Sequence, residues 1–311
     1  MTRGLLVIKW FSRISIASAL ALIAIAASPA QAASNVGPKK CQECHRAEHG
    51  VWEGTEHFKG LREAHKNKAA KDIAEASGGD KSMRKNDTCA TCHYTEVSGK
   101  PEAGPSCESC HGAASEWLPL HNDLGGPTVK PGDEPAAHKQ QRLAAAKKAG
   151  MIHSSMLYDI AENCNGCHTM QNVDAAMAGK LIDAGHPING EYELVAYSQG
   201  SVRHRFYPPD ITQNKDLSKA ELATMFLTGH AVGLVYATQG AAKSTNAKYK
   251  AAMQQRIDDA KKAIGTVKGS VGEAGALLSS PSEASARKFV AAIQGKDLSG
   301  AVGGMLPSKF K

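Results

Sequence analysis

Four identical frames, Cys-x-x-Cys-His, constrain this chain more tightly than any other feature of it. They are Cys41-Gln42-Glu43-Cys44-His45, Cys89-Ala90-Thr91-Cys92-His93, Cys107-Glu108-Ser109-Cys110-His111 and Cys164-Asn165-Gly166-Cys167-His168, and together they use all 8 cysteines. Two residues between the thiols let one turn of chain present both sulfurs to the two vinyl groups of a haem. The next His then falls below the iron as its proximal ligand. Paired zinc sites, or disulfides in an exported protein, are the competing readings. Neither calls for a His directly after the second Cys in four frames of four. The frames therefore read as four covalently bound haem c groups on Cys41, Cys44, Cys89, Cys92, Cys107, Cys110, Cys164 and Cys167. Their proximal iron ligands are His45, His93, His111 and His168.

Thioethers of this kind suit an exported protein, and the N-terminus has the pattern of a secretory signal. Arg3, Lys9 and Arg13 make a basic region, Ile14 to Ala27 an apolar stretch, and Ala30-Gln31-Ala32 a small-x-small cleavage site. Residues 1–32 are expected to be removed and the mature protein to be periplasmic. The apolar stretch is short for a span of about 20 residues, so an uncleaved anchor is the weaker alternative. A formal net charge of +7 includes those three basic residues, and what remains is too weak a charge to suggest nucleic acid. Aromatic residues make up only 5% of the chain, a thin side-chain core for 311 residues. Four macrocycles would fill that deficit.

Composition divides the mature chain into a tetrahaem domain, residues 33–210, and a helical C-terminal part, residues 211–311, which packs on that domain or extends it. The first holds every cysteine and all histidines but His230. In the second, Ser218-x-x-Glu221 and Ser280-Pro281-Ser282-Glu283 read as helix starts. Tyr249, Met253, Ile257, Ala260 and Ile264 recur at helical spacing up to Gly265. In the first part, Ala136 to Ala149 reads as a helix and Tyr192 to Tyr197 as a short strand. The fold expected is mainly α with much irregular loop, wrapped around stacked haems. The short interval between Cys89 and Cys107 should keep the second and third haems close together.

Nine further histidines are available as distal ligands: His49, His57, His65, His121, His138, His153, His186, His204 and His230. His49, His138 and His230 sit in polar or Ala-rich helical surroundings and are read as non-ligands, and Trp52 and Trp117 as packing against haem faces. Over roughly residues 38 to 206 the chain resembles the tetrahaem cytochrome c-554 family. The likeness rests on Cys41 to His45 followed by Trp52 and Thr55-Glu56-His57, on Cys89 to His93, on Ser106 to Gly112 and on Cys164 to His168. It implies that His57 reaches the third haem and His121 the first. The family's ligand for the fourth haem lies a few residues before its motif, where this chain has no His, and His186 in Gly185-His186-Pro187 is favoured instead. The family's second haem lacks a sixth protein ligand. Here it is either open or closed by His65 or His204.

Two functions follow. The first is a non-enzymatic periplasmic carrier that takes single electrons from an oxidoreductase and passes them to a quinone-linked or soluble cytochrome, meeting a membrane only through a partner. The second is a haem oxidoreductase in which an open second haem acts on nitric oxide, nitrite, hydroxylamine or a small sulfur species, with Arg203 and Arg205 supplying charge. The state of the second haem separates them.

Overall fold

The computed structural model describes residues 32–130, 132–188, 191–207 and 210–311. All of the expected signal peptide except Ala32 lies outside them. Residues 33–311 form one compact unit, mainly helical with irregular connections, as the sequence pattern implies.

The motif-bearing half begins with α1 (Pro38–Gln42), α2 (Arg46–Glu53) and α3 (Glu56–Glu63), the last capped by Thr55, whose side chain accepts from Phe58 N. Next come α4 (Ala70–Ala76) and α5 (Asp87–His93), which carries the second motif. Asn86 caps α5 by accepting from Cys89 N. The same side chain donates to Ala74 O, Ser77 Oγ and Asp80 O, so it also fixes α5 against the end of α4.

A two-stranded hairpin, β1 (Thr95–Val97) and β2 (Lys100–Ala103), occupies the short interval between the second and third motifs. Ser98 (φ 51°) and Gly99 (φ 72°) form its turn, and two successive positive φ angles match the right-handed twist of a tight hairpin. The third motif follows on α6 (Cys107–His111). Thr95 Oγ1 lies 2.9 Å from Ser106 Oγ and 3.3 Å from Ser109 Oγ, so the hairpin folds the chain after the second motif back onto the third.

Then come α7 (Leu118–His121), α8 (Ala136–Lys148), α9 (Leu157–His168) with the fourth motif at its C-terminal end, α10 (Ala175–Asp183) and α11 (Leu194–Ser198). The stretch read as a strand, Tyr192 to Tyr197, is thus helical from Leu194. Glu193 caps that helix by accepting from Val195 N and Ala196 N, a local bond that outweighs the β-preference of the aromatics.

The C-terminal half contains α12 (Lys219–Lys243), α13 (Ala247–Gly265), α14 (Glu273–Ser279), α15 (Glu283–Ile293) and α16 (Ser299–Val302). Ser218 and Glu221 make a reciprocal capping box at α12, as their spacing predicts. At α15 the box uses Ser282 and Ser285, two residues beyond the expected Ser280 start.

Helix α12 is apolar on all sides and runs through the middle, with Phe226, Leu227, Val232, Leu234 and Val235 buried against α9, α11, α13 and α15. The helical stripe Tyr249, Met253, Ile257, Ala260 and Ile264 is buried too. This core is built from α9 onward. The earlier half has a small apolar cluster of Ala114, Trp117, Ala146 and Met151. Side chains alone therefore pack the second half well and the first half sparingly. Among the described residues no helix is long and apolar enough to cross a membrane.

Candidate haem-binding site

His93, His111 and His168 each end the helix that carries their motif, while His45 stands between α1 and α2 as the N-cap of the latter, and each of the four motif imidazoles faces a second imidazole from a distant part of the chain. The ring centres are 6.0 Å apart for His45 and His121, 6.1 Å for His93 and His186, 6.2 Å for His111 and His204, and 6.1 Å for His168 and His57. Two metal–nitrogen bonds of about 2.0 Å, plus roughly 1.1 Å from each nitrogen to its ring centre, span about 6 Å. The four gaps therefore fit one iron each, held between two imidazoles. Among the described residues no group of three or more His, Cys, Asp or Glu is placed to hold a bare metal ion.

The nitrogens are prepared for this role. His111, His186 and His204 each hold Nδ1 against a backbone carbonyl, of Ile152 (2.8 Å), Pro187 (2.8 Å) and Val202 (2.6 Å) respectively, which leaves Nε2 for a metal. Burial pushes His93, His121 and His168 down to about 4, and lowers His57 and His111, so these rings stay neutral and keep a lone pair.

Three rings stand opposite motifs other than the expected ones. His57 faces His168, not His111. It lies on α3, which packs on α5, and α5 in turn meets α9. His186 faces His93, not His168. It follows α10, which packs on α4, and Asn86 locks the end of α4 to the second motif. His204 then stands opposite the third motif, not the second. Among the described residues His65 pairs with no ring, and its Nδ1 is buried without a hydrogen bond. His121 faces His45.

Motif side chains also tie the motifs to one another. The thiols of Cys41 and Cys107 are neighbours, as are those of Cys110 and Cys164 and those of Cys92 and Cys167. The contacts run from the first motif to the third, on to the fourth and then to the second. As disulfides these three pairs would leave Cys44 and Cys89 without partners. Glu108, within the third motif, is buried and accepts from Val36 N (2.9 Å), Gly37 N (2.8 Å) and Ala114 N (2.8 Å), which docks the approach to the first motif onto the third. Asn163 Nδ2 donates to Cys110 O at 3.0 Å and joins the third motif to the fourth. A Cβ at Gly166 would lie 2.2 Å from Asn172 Oδ1, so a larger residue would displace that side chain, which also donates to Cys167 Sγ at 3.3 Å.

Sequence reasoning missed the support of His121. Arg142 on α8 donates to His121 O and forms a two-pronged pair with Glu134, at 2.7 Å from Nε and 2.7 Å from Nη2. His138, read as a non-ligand, holds the same carboxylate at 2.8 Å. An Arg and a Glu eight residues apart give no motif, and only the turn before α8 brings them together. Trp117 packs its edge on the His121 ring at 5.7 Å, while Trp52 meets His49 and Phe58 and donates to Pro105 O.

Arg142, with His138, holds the Glu134 carboxyl down to about 2, below its usual 4.5. A carboxylate lowered in the folded state adds stability above its unfolded value and loses it as pH falls through the folded one. In acid unfolding, the stability gap between the parent and Glu134→Gln is expected to be full above about pH 5 and to shrink towards pH 2. A gap independent of pH would show that Glu134 is not ionised in this clamp.

The family described as cytochrome c554 and c-prime matches residues 40–112, which hold the first three motifs. Over 165 residues the chain is 32% identical to cytochrome c-554 of Nitrosomonas europaea. That match covers 49% of this chain, and the chain spans 65% of the relative's length. No solved structure matches it.

Proposed function

We propose that this chain, a c-type cytochrome resembling the cytochrome c554 family, holds four haem c groups and carries single electrons between redox partners in the periplasm. The observation that carries this reading is the set of four facing imidazole pairs, each at the separation of a six-coordinate iron. When bound, each haem supplies a one-electron ferric–ferrous couple.

The chain's own residues do the rest. The cysteine pairs anchor the groups. His45 with His121, His93 with His186, His111 with His204 and His168 with His57 hold the irons. Glu108 ties the approach to the first motif to the third, Asn163 the third to the fourth, and Thr95 the chain after the second motif to the third, a continuous series rather than four separate sites. Two neutral imidazoles per iron favour low potential over the higher potential that a Met ligand gives. An oxidoreductase as donor and a quinone-linked or soluble cytochrome as acceptor suit such a series.

His186 opposite His93 weighs against the enzymatic alternative, because a closed second haem has no free position for nitric oxide, nitrite or hydroxylamine. The reduced protein exposed to carbon monoxide is expected to show no Soret shift, and its ferric EPR spectrum to be low-spin throughout. The mass after acid–acetone extraction should include four haems. One haem binding carbon monoxide would overturn the closed second site, and a count other than four the assignment as a whole.

A further inference from the structure

One side chain of the C-terminal helices enters the motif region. Arg256 on α13 is 8% exposed, with Nη2 donating to Asn165 Oδ1 inside the fourth motif and Nη1 to Tyr192 O, both at 2.9 Å. Its guanidinium stands 5.4 Å from the centre of the Tyr192 ring. The other neighbour of that ring is His168, stacked on it at 4.6 Å and 8°. The charge thus lies within about 10 Å of the His168 imidazole.

Both acceptors of Arg256 are neutral, and among the described residues no carboxylate forms an ion pair with it. Glu193 turns its carboxylate to the N-terminus of α11, and the exposed Asp259 accepts from Gln255. Arg256 and His230 line one cavity of about 240 Å³, and burial pushes His230 down to about 4, so it is neutral. Arg142, the buried guanidinium near the first motif, differs in being matched by Glu134. A buried cation without a counter-ion is costly, and a neutral donor would serve the same hydrogen bonds.

We infer that Arg256 is a positioning residue that raises the reduction potential of the fourth haem above the other three, so that electrons in the series gather there. The inference rests on the four-haem reading. One-electron reduction removes a unit of positive charge at the iron, and a nearby fixed cation favours that product. With an effective dielectric of about 20 and a separation on the order of 12 Å, one charge changes the equilibrium about tenfold. For a one-electron couple tenfold is 59 mV.

The test is a spectropotentiometric titration at pH 6 of the holoprotein, with the fourth haem assigned by NMR contacts to the Tyr192 and Tyr197 rings. Arg256→Gln is expected to retain four haems and to lower that one midpoint by about tenfold in the ferric–ferrous ratio. Arg256→Lys, which keeps the charge, should stay within about threefold of the parent. Asp259→Lys, at an exposed position beside the same cavity, tests the same charge effect without touching the buried bonds and should raise that midpoint two- to threefold. An unmoved fourth midpoint in Arg256→Gln or Asp259→Lys, or equal falls in the Gln and Lys variants, overturns the inference. A parent with other than four haems overturns the underlying reading instead.

Discussion

Replacing His186 by Ala is expected to create one carbon monoxide site in the reduced protein, where the parent has none, while all four haems stay attached. The ring that faces His93 is then gone. One quarter of the ferric haem should turn high-spin. His57→Ala is expected to give the same signature at the haem of the fourth motif, because His57 faces His168. His65→Ala should leave the spectrum unchanged. The Tyr192 and Tyr197 rings beside His168 allow the two openings to be told apart, since only the His57 variant should perturb the haem they contact. If His57→Ala instead opens the haem of the third motif, the pairing described here is incorrect.

The second large effect concerns stability. Phe289 on α15 is fully buried in the core around α12. Phe289→Ala is expected to cost about 3–5 kcal/mol in chemical unfolding, from lost burial and the cavity left behind. Lys288→Ala, on the exposed side of the same helix, should fall within about 0.5 kcal/mol of the parent. Because Phe289 lies on α15, outside the four motifs, the haem spectra of the folded variant should match the parent's. A loss of low-spin signal before unfolding would show that the helical core holds the ligands as well as the fold.

What could be read from the sequence was what is encoded locally. The motif spacing, the box at Ser218, the stripe on α13 and the helix from Ala136 each depend on residues within one or two turns, and each is where its pattern puts it. The distal histidines depend on something else, namely which helix docks beneath which motif. His57 reaches His168 because α3 leans on α5, and His186 reaches His93 because α10 leans on α4. Neither contact leaves a periodic trace, so resemblance and proximity to a motif were the only guides, and they pointed each of these rings to the wrong partner. His65, one of the two rings expected to close the second haem, lies where the chain tightens into a 3-10 turn after α3. Arg256 was invisible for the same reason: in sequence it is one more cation on a polar-looking helix, and only the fold brings it to Asn165.

The unequal distribution of apolar packing has a consequence for how the molecule is made. Motif residues 41 to 168 precede nearly all of the self-sufficient helical core in chain order. A chain delivered N-terminus first would present its cysteines while loosely held, with their natural seal, α12 to α15, still to come. Attachment enzymes would then meet open substrate, and the late helices would close over a loaded site. Circular permutation that places residues 211 to 311 first should reverse the order, burying Cys164 early and yielding protein short of the fourth haem.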